Sequence, residues 1–171
     1  DTSQMTTMGQ MFFDAISFDQ PLFFNTSAVI NMAGMFHEAK RFNQPLTFDT
    51  SGVTSMFMMF YKADAFNHTL ALETSRVVTM ERMLEYASSF NQPISLDTSR
   101  VIDMKQMLHG ASRFDQPLSF DTSRVTEMNQ MLMYASSFNQ PIQLNTSRVT
   151  DMQSMFEAAI NFNQPLSIDT S

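Results

Sequence analysis

Between Arg100 and Asp121 the chain alternates between two kinds of hydrophobic spacing. Val101, Met104, Met107, Leu108 and Ala111 recur at steps of three and four, which is the apolar stripe of a short helix. The equivalent residue before the first Met of each such stripe is Thr7, Asn31, Ser55, Thr79, Asp103, Glu127 or Asp151. Most are N-cap types, and Asp103 followed by Gln106 has the form of a capping box, so a helix of about two turns is predicted from there. A second spacing appears in Pro93-Ile94-Ser95-Leu96, where apolar and polar residues alternate behind a proline. That predicts a short strand. The Asp97-Thr98-Ser99 corner then offers side-chain oxygens to backbone groups that would otherwise lack partners. Strand, corner and helix make one coil.

The same coil is written again and again. The stretch "YASSFNQPISLDTSRV" from Tyr86 returns as "YASSFNQPIQLNTSRV" from Tyr134, changed only where Ser95 becomes Gln143 and Asp97 becomes Asn145. The triplet Asp/Asn/Glu-Thr-Ser begins at Asp1, Asn25, Asp49, Glu73, Asp97, Asp121, Asn145 and Asp169, a constant step of 24. Seven repeats fill the chain and an eighth has begun. Burial within a single coil cannot offset the entropy of ordering it, so each must stack on its neighbours. The expectation is an α/β solenoid, leucine-rich-repeat-like, of seven 24-residue coils, each with one short parallel strand and one short helix. Strand register would set identical columns about 4.8 Å apart. Residues 1–171 read as a single repeat array, and the same triplet at both ends leads us to expect a segment of a longer array.

Composition adds the nature of the core and several exclusions. There are 17 Met and 17 Phe but no Trp, and two columns headed by Met8 and Met11 hold seven methionines each, 14 of the 17. Methionine is an adaptable filler against aromatic rings. A net charge of −7 argues against nucleic acid as a partner, since that needs clustered positive charge. No cysteine is present, which excludes disulfides and thiolate metal sites. No run of about 18 apolar residues suggests direct membrane insertion.

The segments "FNQPLTFDTSGVTSMFMMF" and "FNQPLSFDTSRVTEMNQML" resemble the repeats of the BspA-like leucine-rich repeat surface-protein family. F-N-Q, D-T-S, V-T-x-M and M-F-x-x-A occur together in fixed order along the whole chain. Phe48, Leu72, Leu96, Phe120, Leu144 and Ile168 stand where that family has Trp, and the unit is one residue shorter. The resemblance implies a leucine-rich-repeat-like fold, a cell-surface or extracellular location and a binding or adhesive role, with no catalytic residues to transfer.

Function is then sought where the copies disagree. Arg76, Arg100, Arg124 and Arg148 occupy one column on four consecutive coils. They read either as a solvated stripe paired with Asp97, Asp121, Asp103, Glu127 and Asp151, or as a cradle for an extended anion such as a sulfated or carboxylated glycan. In the first half, Phe13, Phe23, Phe57, Met58 and Tyr61 replace polar residues and form a candidate protein interface. Sequons at Asn25, Asn67 and Asn145 are candidate N-glycosylation sites. The column Asn43, Asn67, Asn91, Asp115, Asn139 and Asn163 reads as a hydrogen-bonded ladder in preference to a string of calcium sites. The Thr column at Thr2, Thr26, Thr50, Thr74, Thr98, Thr122, Thr146 and Thr170 lacks the regular second rank of an ice-binding face. No nucleophile elbow, phosphate loop, cofactor motif or metal-ligand spacing interrupts the repeats. The expected function is therefore a non-enzymatic scaffold for protein or glycan binding and adhesion. The alternative is a structural subunit docked in an assembly through its apolar N-terminal half.

Overall fold

The computed structural model describes residues 1–169, so Thr170 of the Thr column lies outside it. The repeats do stack in register. Thr7, Asn31, Ser55, Thr79, Asp103, Glu127 and Asp151 are joined in succession by parallel single-residue bridges, each partner 24 residues from the last. The α/β solenoid with a helix in each coil is not what forms: among the described residues there is no helix. The only regular strands among them are β1 (Ile142–Asn145) and β2 (Leu166–Asp169), which pair in parallel with Ile142 opposite Leu166.

Coil 5 shows what replaces the helix. The amides of Met104, Gln106, Leu108 and Gly110 donate to the carbonyls of Glu127, Asn129, Met131 and Met133 in the next coil. Between them, the amides of Met107, His109 and Ala111 close turns onto Met104, Gln106 and Leu108. Two residues of this segment, Gln106 at φ 54° and Gly110 at φ 67°, have left-handed backbone, which a right-handed helix excludes. The physical reason lies in backbone pairing. A helix of two turns leaves four amides and four carbonyls unpaired at its ends, nearly all that it has. Overlapping turns send every second amide across to an identical neighbour and satisfy both sets. Turns of three residues also carry Met104, Met107, Leu108 and Ala111 inward, which is why the stripe has helical spacing.

The N-cap positions belong to this same arrangement. Asp103 Oδ1 accepts the Lys105 amide two residues on, at 2.9 Å, and Asn31 and Asp151 do the same for Ala33 and Gln153. Gln106 does not reach back as a capping box requires; its amide group points along the stack to Gln130 Oε1 at 2.6 Å.

The core is a set of ring and methionine columns. Phe42, Phe66, Phe90, Phe114 and Phe138 stack at 6.0–6.1 Å between ring centres, and Met32, Met56, Met80, Met104 and Met128 are fully buried. Polar columns fasten the edges. Asn43 Oδ1 accepts the amide of Asn67, Asn67 that of Asn91, Asn91 that of Asp115, and so on to Asn163. The Thr side chains point inward: Thr50, Thr74 and Thr98 donate to the carbonyls of Glu73, Asp97 and Asp121. They are buried, so they present no hydroxyl face to solvent.

Candidate functional site

Arg76, Arg100, Arg124 and Arg148 all lie exposed, four rungs of one edge. The first three, with Thr54, Val78 and Ile102, line a shallow groove of about 490 Å³. Val78 and Ile102 are 40% and 41% exposed, so the groove offers aliphatic surface as well as guanidinium groups.

The acids nearest in sequence do not neutralise this column. Among the described residues no carboxylate lies within ion-pair distance of these four arginines. The corner carboxylates are turned back on their own chain: Asp97 and Asp121 accept the amides of Ser99 and Ser123. The serine hydroxyl and amide hold both carboxyls below the usual carboxylate range. Asp103 and Asp151 are engaged with Lys105 and Gln153, and Glu127 Oε1 accepts the Thr150 hydroxyl. These hydrogen bonds overturn the salt-bridge stripe, because each acid is needed locally to close a turn or tie coils together.

The turn face carries a second constellation, which the repeat pattern alone does not reveal. Glu85 and His109 occupy the same column on successive coils, and stacking brings Glu85 Oε1 to 3.6 Å from His109 Nδ1. Tyr86 Oη lies 3.3 Å from His109 Nε2, and Gln106 Nε2 lies 3.2 Å from His109 Nδ1. Arg82 Nε approaches Glu85 Oε2 to 3.6 Å, but neither atom completes a hydrogen bond. Glu85 is only 4% exposed. Burial pushes its carboxyl up to about 7, against the pull of Arg82 and Lys62, and burial likewise lowers His109. Gly110 lets the Tyr86 ring fit: a Cβ there would lie 2.4 Å from Tyr86 Cδ1. The one sequence signal was Glu85 standing in a column whose other members include His37, Tyr61 and His109.

The apolar candidates separate. Phe23 and Phe13 are 86% and 51% exposed, whereas Phe57, Met58 and Tyr61 are half-buried. Phe13 and Tyr61 flank His37 in a stack, at 4.6 and 4.5 Å; Phe23 takes no part in it. The sequon asparagines are exposed but structurally engaged. Asn25 and Asn145 accept both amide and hydroxyl of the serine two residues on, and Asn67 accepts the Asn91 amide and the Gln92 side chain.

One family model matches nearly the whole chain, over residues 1–95 and again over 71–168. Its description is Mycoplasma protein of unknown function, DUF285. The chain belongs to this DUF285 family. The two overlapping matches each span several of the 24-residue coils. Comparison with curated proteins finds no match, and neither does comparison with solved structures.

Proposed function

We propose that the chain is a non-enzymatic repeat scaffold, displayed at the cell surface or outside the cell, that holds a protein or glycan partner on its Arg76–Arg148 edge. The observation that carries this reading is four exposed guanidinium groups in one column with, among the described residues, no carboxylate within ion-pair distance. Like charges about 5 Å apart repel, so an anionic partner relieves a cost built into the free protein. The resemblance of the repeats to BspA-like surface proteins supports the location. Binding of the whole chain to protein and glycan arrays tests it. Binding should weaken at high salt and be lost when Arg100→Ser and Arg124→Ser are combined; binding unchanged in that variant overturns the reading.

A second reading, a structural subunit docked through the N-terminal coils, is favoured by the 86% exposure of Phe23, with Phe13 and Ile16 also exposed in the same coil. Self-association on size exclusion that Phe13→Ser with Phe23→Ser abolishes would support it. A monomer at high concentration that needs no partner would count against it.

A further inference from the structure

We propose that the ligand of the arginine edge is an extended anionic polysaccharide, bearing carboxylate or sulfate groups, that lies along the stacking direction and meets the guanidinium groups in succession. This rests on the reading of that edge as the binding surface and narrows its occupant.

The backbone of the groove argues against a peptide. The amides of Thr54, Val78, Ile102 and Thr126 donate to the carbonyls of Ile30, Thr54, Val78 and Ile102 in the preceding coils. An extended peptide gains most of its affinity by adding a strand to free main-chain groups, and here that row is already spent on coil-to-coil bonds. Recognition must therefore come from side chains alone. What they offer is a single file of planar cations, each able to take an oxyanion in a two-pronged hydrogen bond, with a second column two residues on that contributes the aliphatic surfaces of Val78 and Ile102 to the same groove. A chain of sugar rings can meet both columns at once: apolar C–H faces against the aliphatic side chains, and anionic groups projecting at regular intervals toward the guanidinium groups.

Position and charge limit the ligand further. The three earlier coils carry Gln4, Ala28 and Gly52 in this column, so the footprint covers coils 4 to 7. The remainder of the protein is acidic, with a net charge of −7 overall, and repels a wide polyanion while admitting a narrow one along the edge.

Calorimetric titration of the whole chain with size-defined heparin oligosaccharides, and in parallel with polyglutamate peptide and single-stranded DNA, tests this. The oligosaccharides should bind with an affinity that rises with length, levels off once four rungs are spanned, and falls with salt. Arg100→Ser with Arg124→Ser should weaken binding at least about tenfold, as expected for charge-assisted contacts, while Arg41→Ser, an exposed cation off the edge, should leave it unchanged. Polyglutamate or DNA bound as tightly, with the same dependence on Arg100 and Arg124, overturns the polysaccharide but leaves the arginine edge as the binding surface. Oligosaccharide binding that the double variant leaves intact, or that Arg41→Ser weakens equally, overturns both.

Discussion

Coils 1 to 3 and coils 4 to 7 share one backbone plan and differ in almost everything that faces outward. The first three carry Phe12, Phe36 and Phe60 in the core column, where the next three carry Leu84, Leu108 and Leu132. They expose Phe13 and Phe23, whereas the later coils expose the arginine edge and enclose Glu85 with His109. Both halves nevertheless keep the same cross-coil hydrogen bonds and the same pair of left-handed residues per coil, such as Gly34 and Glu38 in coil 2 or Gln130 and Tyr134 in coil 6. The scaffold is thus set by backbone pairing and column spacing, which tolerate exchange of Phe for Leu. Chemistry was free to diverge on the outside.

The largest test of this comparison removes a core ring from each half. Phe66 stacks on Phe42, Phe90 and, within its own coil, Phe60 at 4.1 Å; Phe114 stacks on Phe90 and Phe138 alone. Urea unfolding should show a loss of about 3–5 kcal/mol for either alanine substitution. Phe66→Ala should be the worse by about 0.5–1.5 kcal/mol, the worth of an extra aromatic pair. Equal losses would mean that Leu108 replaces the Phe60 ring fully.

A pH titration of stability separates the halves next. Glu85 has its folded carboxyl raised from 4.5 to about 7, so the folded state holds a proton that the unfolded state releases. Its stabilising contribution is full below pH 4.5, is lost progressively as pH rises to about 7, and is gone above. Glu85→Gln should therefore be more stable than the wild type at pH 8, by up to about 3 kcal/mol, with the difference shrinking toward pH 5. His109, lowered by burial, acts in the opposite sense below pH 6.5 and lies 3.6 Å from Glu85, so the comparison is read above pH 6.5, where His109 is neutral in both proteins. A pH-independent difference would show that Arg82, Lys62 and Lys105 keep the carboxylate ionised.

The two left-handed glycines provide a smaller contrast. Gly34→Ala makes only ordinary contacts, with Gln10 Cγ at 3.4 Å and His37 Cβ at 3.7 Å, and should cost about 1 kcal/mol for its backbone alone. Gly110→Ala drives a methyl into the Tyr86 ring and should cost about 1–3 kcal/mol beyond that. Combining it with Tyr86→Ser should return most of the excess. Smallest of all, the Arg100→Ser, Arg124→Ser double variant should unfold within about 0.5 kcal/mol of wild type, because the two guanidinium groups it removes are exposed and form no ion pair among the described residues.

The repeat period, the Met and Phe columns and the Asn ladder were legible because each depends only on which residue recurs every 24 positions. The helix was misread at Met104, Met107, Leu108 and Ala111, since inward spacing of three and four is common to a helix and to overlapping turns. What distinguishes them is whether Gln106 bonds four residues back or to Asn129 in the next coil, and a single repeat contains no trace of that choice. The counter-ions failed for a related reason. Asp97 and Asp103 lie close in sequence to Arg100, but a backbone amide two residues away competes for each carboxylate at no cost in reach.

The sequence by itself therefore determined the length of the coil, the residues that fill its interior and the column in which four arginines line up, because period and side-chain identity are properties of the chain. Only the tertiary structure decided the backbone conformation and the state of the charged groups. The amides that leave the turn for the next coil and the burial that sets Glu85 against His109 depend on partners 23 to 25 residues away. The carboxylates leave the arginine edge only because the folded turn brings an amide two residues on within reach of each aspartate.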